Sequence, residues 1–410
     1  MVGKYNEINL CEVCSNTNLI SVLNLGMHPM CDDLVLLGDK RLCNEYPIEI
    51  LFCQKCNTAH QRFQIPKEEL FPSTYHYRSR FTADVLNGME SLVKSCSKHL
   101  NDLTNKKVLD IGCNDGSLLD FFKKEGAITF GIEPTNAYLD AEEKGHIIYN
   151  NFLSEAIVRS FIQDHGHPDL ITFTNVFAHI ENLDEVLCAL KKLMNKKTFI
   201  VIENHYLGSV LGRNQFDTFY HEHPRTYSFA SFVRMAKTLN TELIDVEFPS
   251  RYGGNIRIFL GKDSNVISST NLNELYIKEN AFFSNFITLG NNVDRWQKSK
   301  KQFLIEQYEK YGKLRAKAFP GRAAILVKLL ELDENLISAV YEKPGSLKIG
   351  NYLPGTRIPI LSDNELFSDE DQSLPLLNLA WHIPLEIRAY LTEKNYKGKI
   401  FDILSLNDFV

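Results

Sequence analysis

The 410-residue sequence lacks several features that would point to particular classes of protein. It has no stretch approaching the roughly 18 apolar residues of a membrane-spanning helix, and no apolar run of signal-peptide length near its first residue. It also has no excess of positive charge, since its formal net charge is −6. These absences argue against a nucleic-acid or membrane partner and favour a cytoplasmic location. They leave the oligomeric state open.

The nine cysteines are an odd number without an export signal, which favours thiols and a metal over a disulfide framework. Two C-x-x-C pairs provide the thiolates for a tetrahedral zinc site: Cys11, Cys14, Cys53 and Cys56. Because Cys31 and Cys43 lie between the pairs, counting does not decide the ligand set. Four thiolates leave no open coordination position, so this zinc would be structural. It would stabilise its module by an amount on the order of 10 kcal/mol.

The stretch VLDIGCNDGSLL, residues 108–119, predicts a buried strand, a glycine turn and the start of a helix. It lacks the third glycine of G-x-G-x-x-G and carries Asp110 inside the turn, which argues against a dinucleotide. A loop that must hold an ammonium group fits S-adenosylmethionine better. The candidate donor-binding residues are Asp110, Gly112, Asn114, Gly116 and Glu133. Glu133 ends a second strand about 20 residues on, where a carboxylate can bind ribose hydroxyls.

From Lys107 onward, apolar strands alternate with amphipathic helices, as in a doubly wound α/β sheet. Four strands are predicted near residues 108–111, 128–132, 170–174 and 198–203. A long amphipathic stretch at 273–315 separates this domain from a second, smaller α/β unit. We therefore expect a zinc-binding domain at residues 1–80, a methyltransferase domain at 81–300 and a C-terminal Rossmann-like domain at 301–410.

The segment QFDTFYHEHPRTYS, residues 215–228, concentrates histidine, tyrosine and acidic residues. It lacks the H-E-x-x-H spacing of a helical metal site, so general acid–base chemistry is favoured over a metal site or a structural hydrogen-bond cluster. His179 follows the third strand, at the carboxyl end of the predicted sheet. On these residues alone, a packing role for His179 is the favoured interpretation. The glycine turn RYGGNIRIF, residues 251–259, is interpreted equally well as a phosphate or sugar grip or as a hairpin corner.

The chain resembles the nucleotide-sugar C-methyltransferase family, whose members methylate carbon 3 of 4-keto-6-deoxyhexoses. The resemblance rests on both C-x-x-C pairs and on the motifs IGCNDGSLL, GIEPTNAYLDAEEKG, NVFAHIENL, QFDTFYHEHPRTYS, GGNIR and YLPGTRIPI, which span nearly the whole chain. It implies S-adenosylmethionine as the donor, a structural zinc and a small nucleotide-sugar substrate. It also implies that the second histidine of YHEH, His223, is the catalytic base. The neighbours that it implies are Tyr220, Glu222, His179, and either Tyr75 or Tyr77, with Tyr77 slightly preferred.

One loop departs from the family pattern. A small-residue loop that ends in Lys-Gly is usual there, whereas this chain has GRAAIL at residues 321–326. A different nucleotide, a different sugar or an oxygen acceptor could accompany the change. Two alternatives therefore stand beside carbon methylation. One is an O-methyltransferase that acts on a nucleotide-linked or capsular sugar hydroxyl, and the other is a zinc-containing scaffold that retains the donor fold without catalysis.

Overall fold

The computed structural model describes residues 4–72, 78–81, 83–262, 270–369 and 371–409. Short strands and turns form the N-terminal part. Its elements are β1 (Asn6–Glu7), β2 (Ile20–Pro29), β3 (Val35–Leu36), β4 (Glu45–Cys53), β5 (Thr58–Gln61), β6 (Phe63–Gln64) and α1 (Lys67–Leu70). Strands β2, β4 and β5 form an antiparallel sheet, and Arg225–Thr226 joins its edge from far along the chain. The N-terminal part is therefore joined to the central part by backbone hydrogen bonds.

The central part contains the predicted alternation of strands and helices. Its elements are α2 (Ala83–Leu100), β7 (Lys107–Ile111), α3 (Ser117–Lys124), β8 (Ile128–Ile132), α4 (Ala137–Glu143), β9 (Ile147–Tyr149), α5 (Glu155–His165), β10 (Leu170–Thr174), α6 (Leu183–Leu193), β11 (Phe199–His205), α7 (Leu207–Gly212), β12 (Arg225–Thr226), α8 (Phe229–Leu239), β13 (Glu242–Glu247), β14 (Asn255–Gly261), α9 (Leu272–Glu279) and α10 (Phe282–Tyr311).

Within the described residues, the main sheet has the order β13-β14-β11-β10-β7-β8-β9. Strands β7 to β11 run parallel, and the β13–β14 hairpin adds an antiparallel edge. The predicted α/β fold class is confirmed, and the four predicted strands lie within one or two residues of their expected bounds. These strands could be predicted as continuous apolar runs because helices cover both faces of the sheet and bury the side chains on each face. The strand order reverses beside β7, and ligands bind at such switch points.

Helix α10 connects all three parts of the chain. Phe286 packs on Phe52 of β4 with the ring centroids 5.3 Å apart, and the buried Trp296 donates its indole N–H to the carbonyl of Ile403 at 3.2 Å. The helix runs without a break through residue 300, where the sequence places a domain boundary. Its 30 residues are amphipathic. Among helices in the described ranges, none has both the length and the apolar character needed to cross a bilayer.

The C-terminal part is the predicted second α/β unit. Its elements are β15 (Leu314–Lys317), α11 (Ala323–Leu329), β16 (Ile337–Glu342), β17 (Asn351–Tyr352), β18 (Ile360–Ser362), α12 (Asp363–Ser368), β19 (Leu376–Asn378), α13 (Pro384–Glu393) and β20 (Ile400–Asp402). Its parallel sheet has the order β18-β16-β15-β19-β20 among the described residues. Strand β17 pairs with β3, so this unit also docks on the N-terminal part. The carboxyl ends of β15, β16 and β19 face the central part across a shared cavity.

Candidate active site and zinc centre

A cavity of about 750 Å³ lies where the three parts meet. One side is lined by the turn after β7, the ends of β8, β10 and β11, and the 215–228 segment. The loops after β15, β16 and β19 provide the other, and Cys31, Asp32 and Phe71 contribute from the N-terminal part. Any molecule that fills this space would contact all three parts at once.

The turn after β7 lines part of the cavity. Gly112 has a φ of +70°, and a Cβ at that position would lie 2.6 Å from the Val176 side chain, so the turn requires glycine. Glu133, at the end of β8, accepts the backbone N–H of Asn114 at 2.9 Å and that of Thr135 at 2.9 Å. Burial raises the pKa of this carboxyl group. Gly112, Asn114 and Glu133 line the cavity, as a donor site requires.

Asp110 and Gly116 lie behind this turn and are not among the residues that line the cavity. Asp110 is buried, accepts the Thr172 hydroxyl at 2.7 Å, and has its pKa raised to about 7 by burial. Gly116 has a φ of +73°, and a Cβ there would lie 2.9 Å from Ala141. The structure therefore gives both residues a role in shaping the loop. Direct donor contact by either remains a prediction.

His223 also lines the cavity. Its Nδ1 is 3.0 Å from the carbonyl oxygen of Thr218. A carbonyl can only accept a hydrogen bond, so Nδ1 carries the proton and Nε2 keeps its lone pair. Burial, then the neighbouring His179 and His205, and then Arg322 lower the pKa of His223 well below its usual value. The ring is therefore a neutral imidazole with one basic nitrogen.

Two of the predicted neighbours, His179 and Tyr220, lie against the ring of His223. The ring centroid of His179 lies 4.8 Å from that of His223, and the Tyr220 ring lies 4.2 Å from it. Glu222 lines the same cavity, with Oε2 4.0 Å from Nδ1 of His179. Burial lowers the pKa of His179 to about 4. His179 is therefore part of the cavity wall, whereas its sequence context alone favoured packing. Tyr75 and Tyr77 lie outside the described residues.

His205 and His382 also line the cavity, although their sequence context did not mark them as site residues. The His205 ring centroid lies 5.4 Å from that of His223. Burial and then Arg322 lower the pKa of His382 to about 3. His205 ends β11 and His382 follows β19, so their position at strand ends was the available signal. Many residues lie at strand ends, so this position alone does not identify His205 or His382 as a site residue.

The glycine turn at 251–259 is the corner of the β13–β14 hairpin, and its use as a phosphate or sugar grip stays a prediction. Residues 255–261 form β14 of the antiparallel hairpin, while Arg251 lines the cavity with Nη1 3.3 Å from the buried Glu203. Gly88 of α2 leaves room for Arg251, because a Cβ at Gly88 would lie 2.5 Å from the arginine side chain. The second arginine, Arg257, is buried against Glu203 and Glu247. Of these two arginines, Arg251 is therefore the one that lines the cavity and could contact a ligand there.

The divergent loop at Gly321 brings Arg322 to the site. The Arg322 guanidinium binds both carboxylate oxygens of Asp217, at 2.7 and 2.6 Å, and donates to the Thr218 hydroxyl at 2.9 Å. Trp381 donates its indole N–H to the same Asp217 at 2.8 Å. Arg322 thus fixes the short 216–218 helix, whose last residue holds His223. The loop holds the segment that positions the candidate base.

The two C-x-x-C pairs form a buried cluster in the N-terminal part. The Sγ atoms of Cys11 and Cys56 are 3.4 Å apart, and those of Cys14 and Cys53 are 3.6 Å apart. All four Sγ atoms lie within 4.8 Å of one another. Zn–S bonds of about 2.3 Å give a tetrahedral edge of about 3.8 Å, so these four residues fit zinc. Cys31 and Cys43 are not in this cluster.

Three family models match consecutive parts of the chain. Residues 11–71 match a "Putative zinc binding domain", residues 77–246 a "Methyltransferase domain" and residues 250–403 a "C-methyltransferase C-terminal domain". The fold, the cavity and these matches define the class. The chain has the fold of an S-adenosylmethionine-dependent methyltransferase, with a zinc-binding module before it and the C-terminal domain of C-methyltransferases after it.

Among individual proteins, the chain is similar to the C-methyltransferase NovU of Streptomyces niveus. The two are 27% identical over 257 residues, which cover 62% of this chain and 60% of NovU. The ubiquinone biosynthesis O-methyltransferase of Pasteurella multocida is 29% identical over 110 residues, covering 24% of this chain and 46% of that enzyme. The chain thus spans less than two thirds of either relative. The magnesium protoporphyrin IX methyltransferase of Synechocystis PCC 6803 with bound SAH has a TM-score of 0.35 at 14% identity, covering 44% of this chain and 84% of that one.

We predict that Cys53→Ser abolishes stoichiometric zinc binding, because a tetrahedral thiolate site cannot lose one ligand and keep its affinity. Cys43→Ser should retain zinc, since its thiol instead donates to the Asp33 carbonyl at 3.3 Å. Atomic emission analysis of the two purified variants measures the zinc content. Equal zinc in both variants would contradict the proposed ligand set.

We predict that Glu133→Gln weakens S-adenosylmethionine binding about 10- to 100-fold, or about 1.5–3 kcal/mol. An amide has one acceptor oxygen, so it cannot accept two backbone N–H groups and the ribose hydroxyls together. The matched control is Glu125→Gln, an exposed residue at the end of α3. Titration calorimetry compares the two variants. Unchanged affinity in Glu133→Gln would remove this carboxylate from the donor site.

Proposed function

We propose that this protein transfers the methyl group of S-adenosylmethionine to carbon 3 of a nucleotide-linked 4-keto-6-deoxyhexose, with His223 as general base. The observation that carries the proposal is the neutral His223, whose Nδ1–H is bound to the Thr218 carbonyl and whose Nε2 is left basic. It shares one cavity with the donor turn. Removal of a proton next to a ketone requires a positioned general base, and a neutral imidazole can fill that role.

The surrounding side chains suit the charge that develops when the proton leaves. Loss of the carbon 3 proton to Nε2 of His223 leaves an enediolate, whose oxygen needs a hydrogen-bond donor or a nearby cation. His179 and Tyr220 contact the His223 ring, and Arg251 lines the same cavity. When bound, the donor supplies an electrophilic sulfonium methyl group. The chain itself holds the two reactants in line and excludes water, and this orientation provides much of the rate.

The C-terminal wall of the cavity supports a substrate that carries a nucleotide. The loop after β16 brings Lys343 and Lys348 to this wall, and Nζ of Lys348 is 2.8 Å from the carbonyl of Phe319. Lysines at the carboxyl ends of parallel strands suit a diphosphate. Arg322 is a weaker candidate for the diphosphate contact, because its guanidinium already donates to both carboxylate oxygens of Asp217. We therefore propose the lysines of the 342–348 loop as the diphosphate contact.

The O-methyltransferase relatives suggest oxygen methylation as an alternative reaction. The ubiquinone O-methyltransferases match only 22–32% of this chain, and NovU matches 62% of it. A hydroxyl acceptor also needs no carbon acid to be ionised. Exchange of the carbon 3 hydrogen therefore separates the two reactions.

We predict that the wild-type protein exchanges the carbon 3 hydrogen of a keto-sugar nucleotide with D₂O, without donor, and that His223→Asn lowers this rate by roughly 10²- to 10⁴-fold. Asparagine retains a hydrogen-bonding side chain but has no basic nitrogen. Proton NMR of thymidine-, guanosine- and cytidine-diphosphate 4-keto-6-deoxy sugars measures the exchange, and calorimetry checks that donor binding is intact. Near-normal exchange by His223→Asn would overturn its role as the base.

We predict that activity persists to acid pH and that Arg322→Gln loses it at a higher pH than the wild type does. The active form of His223 is neutral, and burial and nearby cations lower its pKa, so the neutral form survives below the usual histidine range. Removal of the Arg322 charge raises that pKa and moves the acid limb upward. Lys328→Gln is the control, since Lys328 lies on α11 and pairs with Glu45 at 2.5 Å. A pH profile of kcat/KM in which Arg322→Gln matches the control would contradict this electrostatic account.

A further inference from the structure

Arg225 has no role in the chemistry proposed above, yet its guanidinium is fully buried and has partners from several elements. It donates to Glu12 at 2.6 Å, to the Tyr227 hydroxyl at 3.0 Å and to the carbonyl of Glu181 at 3.3 Å. The Arg225 residue is 1% exposed. A buried charge is retained only when it is paired and hydrogen-bonded. This arrangement therefore holds its partners in one relative position.

On one side, these contacts lead to the candidate zinc ligands. Glu12 lies inside the first C-x-x-C pair, between Cys11 and Cys14. The carbonyl of Cys56, in the second pair, accepts the Ser228 and Ser231 hydroxyls at 3.2 Å each. Both C-x-x-C pairs are thus held by Arg225 or by residues that closely follow it in the sequence.

On the other side, the same guanidinium reaches both histidine loops of the active site. Arg225 lies two residues after His223, and Glu181 lies two residues after His179. Backbone hydrogen bonds also join the His223 loop to the N-terminal part. Arg225 pairs with His60 of β5, and the Gln61 N–H donates to the Pro224 carbonyl at 2.8 Å. The spacing of the two imidazoles therefore depends on contacts that begin at the zinc module.

We propose that Arg225, through Glu12, is a positioning residue that couples the zinc cluster to the His179 and His223 loops. Zinc occupancy then sets the competence of His223 for proton removal and leaves donor binding largely unchanged. This inference rests on the proposed function for its kinetic readout only. Its structural readout, the order of the two loops, is independent of any substrate.

The kinetic test compares Glu12→Gln and Arg225→Lys with Arg62→Lys. Arg62 is a matched control because it also pairs with glutamates of the zinc module, but its side chain is 38% accessible to solvent. We expect Glu12→Gln to lower kcat for carbon 3 exchange at least tenfold, with zinc content and the donor Kd within twofold of wild type. Arg225→Lys should retain more activity than Arg225→Gln, because lysine keeps the charge. A kcat for Glu12→Gln equal to that of the Arg62→Lys control overturns the proposal.

The structural test measures hydrogen–deuterium exchange of the full-length protein before and after zinc is chelated, and in Glu12→Gln. We expect faster exchange in residues 177–181 and 218–228 while strands β7 to β10 stay protected. Unchanged exchange in those segments, or an equal rise across the whole sheet, overturns the coupling. If the wild type shows the local loss of protection but acts on no keto-sugar, the proposed function fails and the coupling stands.

Discussion

The hydrogen bond from Nδ1 of His223 to the Thr218 carbonyl is the interaction on which the site depends. It fixes which imidazole nitrogen carries a proton, and so it leaves Nε2 as the nitrogen that can act as the proposed base. Thr218 ends a short helix that Arg322 holds through Asp217, and the strand that follows His223 is held by Arg225 through Glu12. The proposed base is therefore positioned from the C-terminal side by one buried arginine and from the zinc-module side by another.

This arrangement explains why a donor-binding domain would be combined with two others. The candidate donor-binding residues, in the turn after β7 and at Glu133, all lie within the central part. The region that we propose for the acceptor is different, because loops of the C-terminal sheet also line it and contacts to the zinc module maintain its geometry. Helix α10, packed on β4 and tied to residue 403, fixes the relative placement of the three parts. Catalytic geometry of this kind needs rigid support around the reacting groups.

Much of the fold could be predicted from the sequence because its signals are local. The strands of the central sheet are short apolar runs, and Gly112 marks a turn whose positive φ and close contact with Val176 only glycine accommodates. The cysteine spacing likewise indicated the zinc cluster, although only the folded chain excludes Cys31 and Cys43 from it. The residues that meet at the candidate site were harder to predict from local sequence signals. His205, His382 and Arg322 come from separate strand ends and a divergent loop, and their meeting is a property of tertiary packing. His179 shows the same limit, since its apolar neighbours in sequence favoured packing and its spatial neighbour is His223.

The central claim is that the acceptor atom is a carbon made nucleophilic by His223. The most direct measurement is NMR of the product formed from a 4-keto-6-deoxy sugar nucleotide and S-adenosylmethionine labelled with ¹³C in its methyl group. The account predicts a labelled methyl carbon bonded to carbon 3, with coupling between the label and the sugar carbons. A labelled methoxy group would contradict it, as would the absence of transfer to every such sugar nucleotide when donor binding is intact.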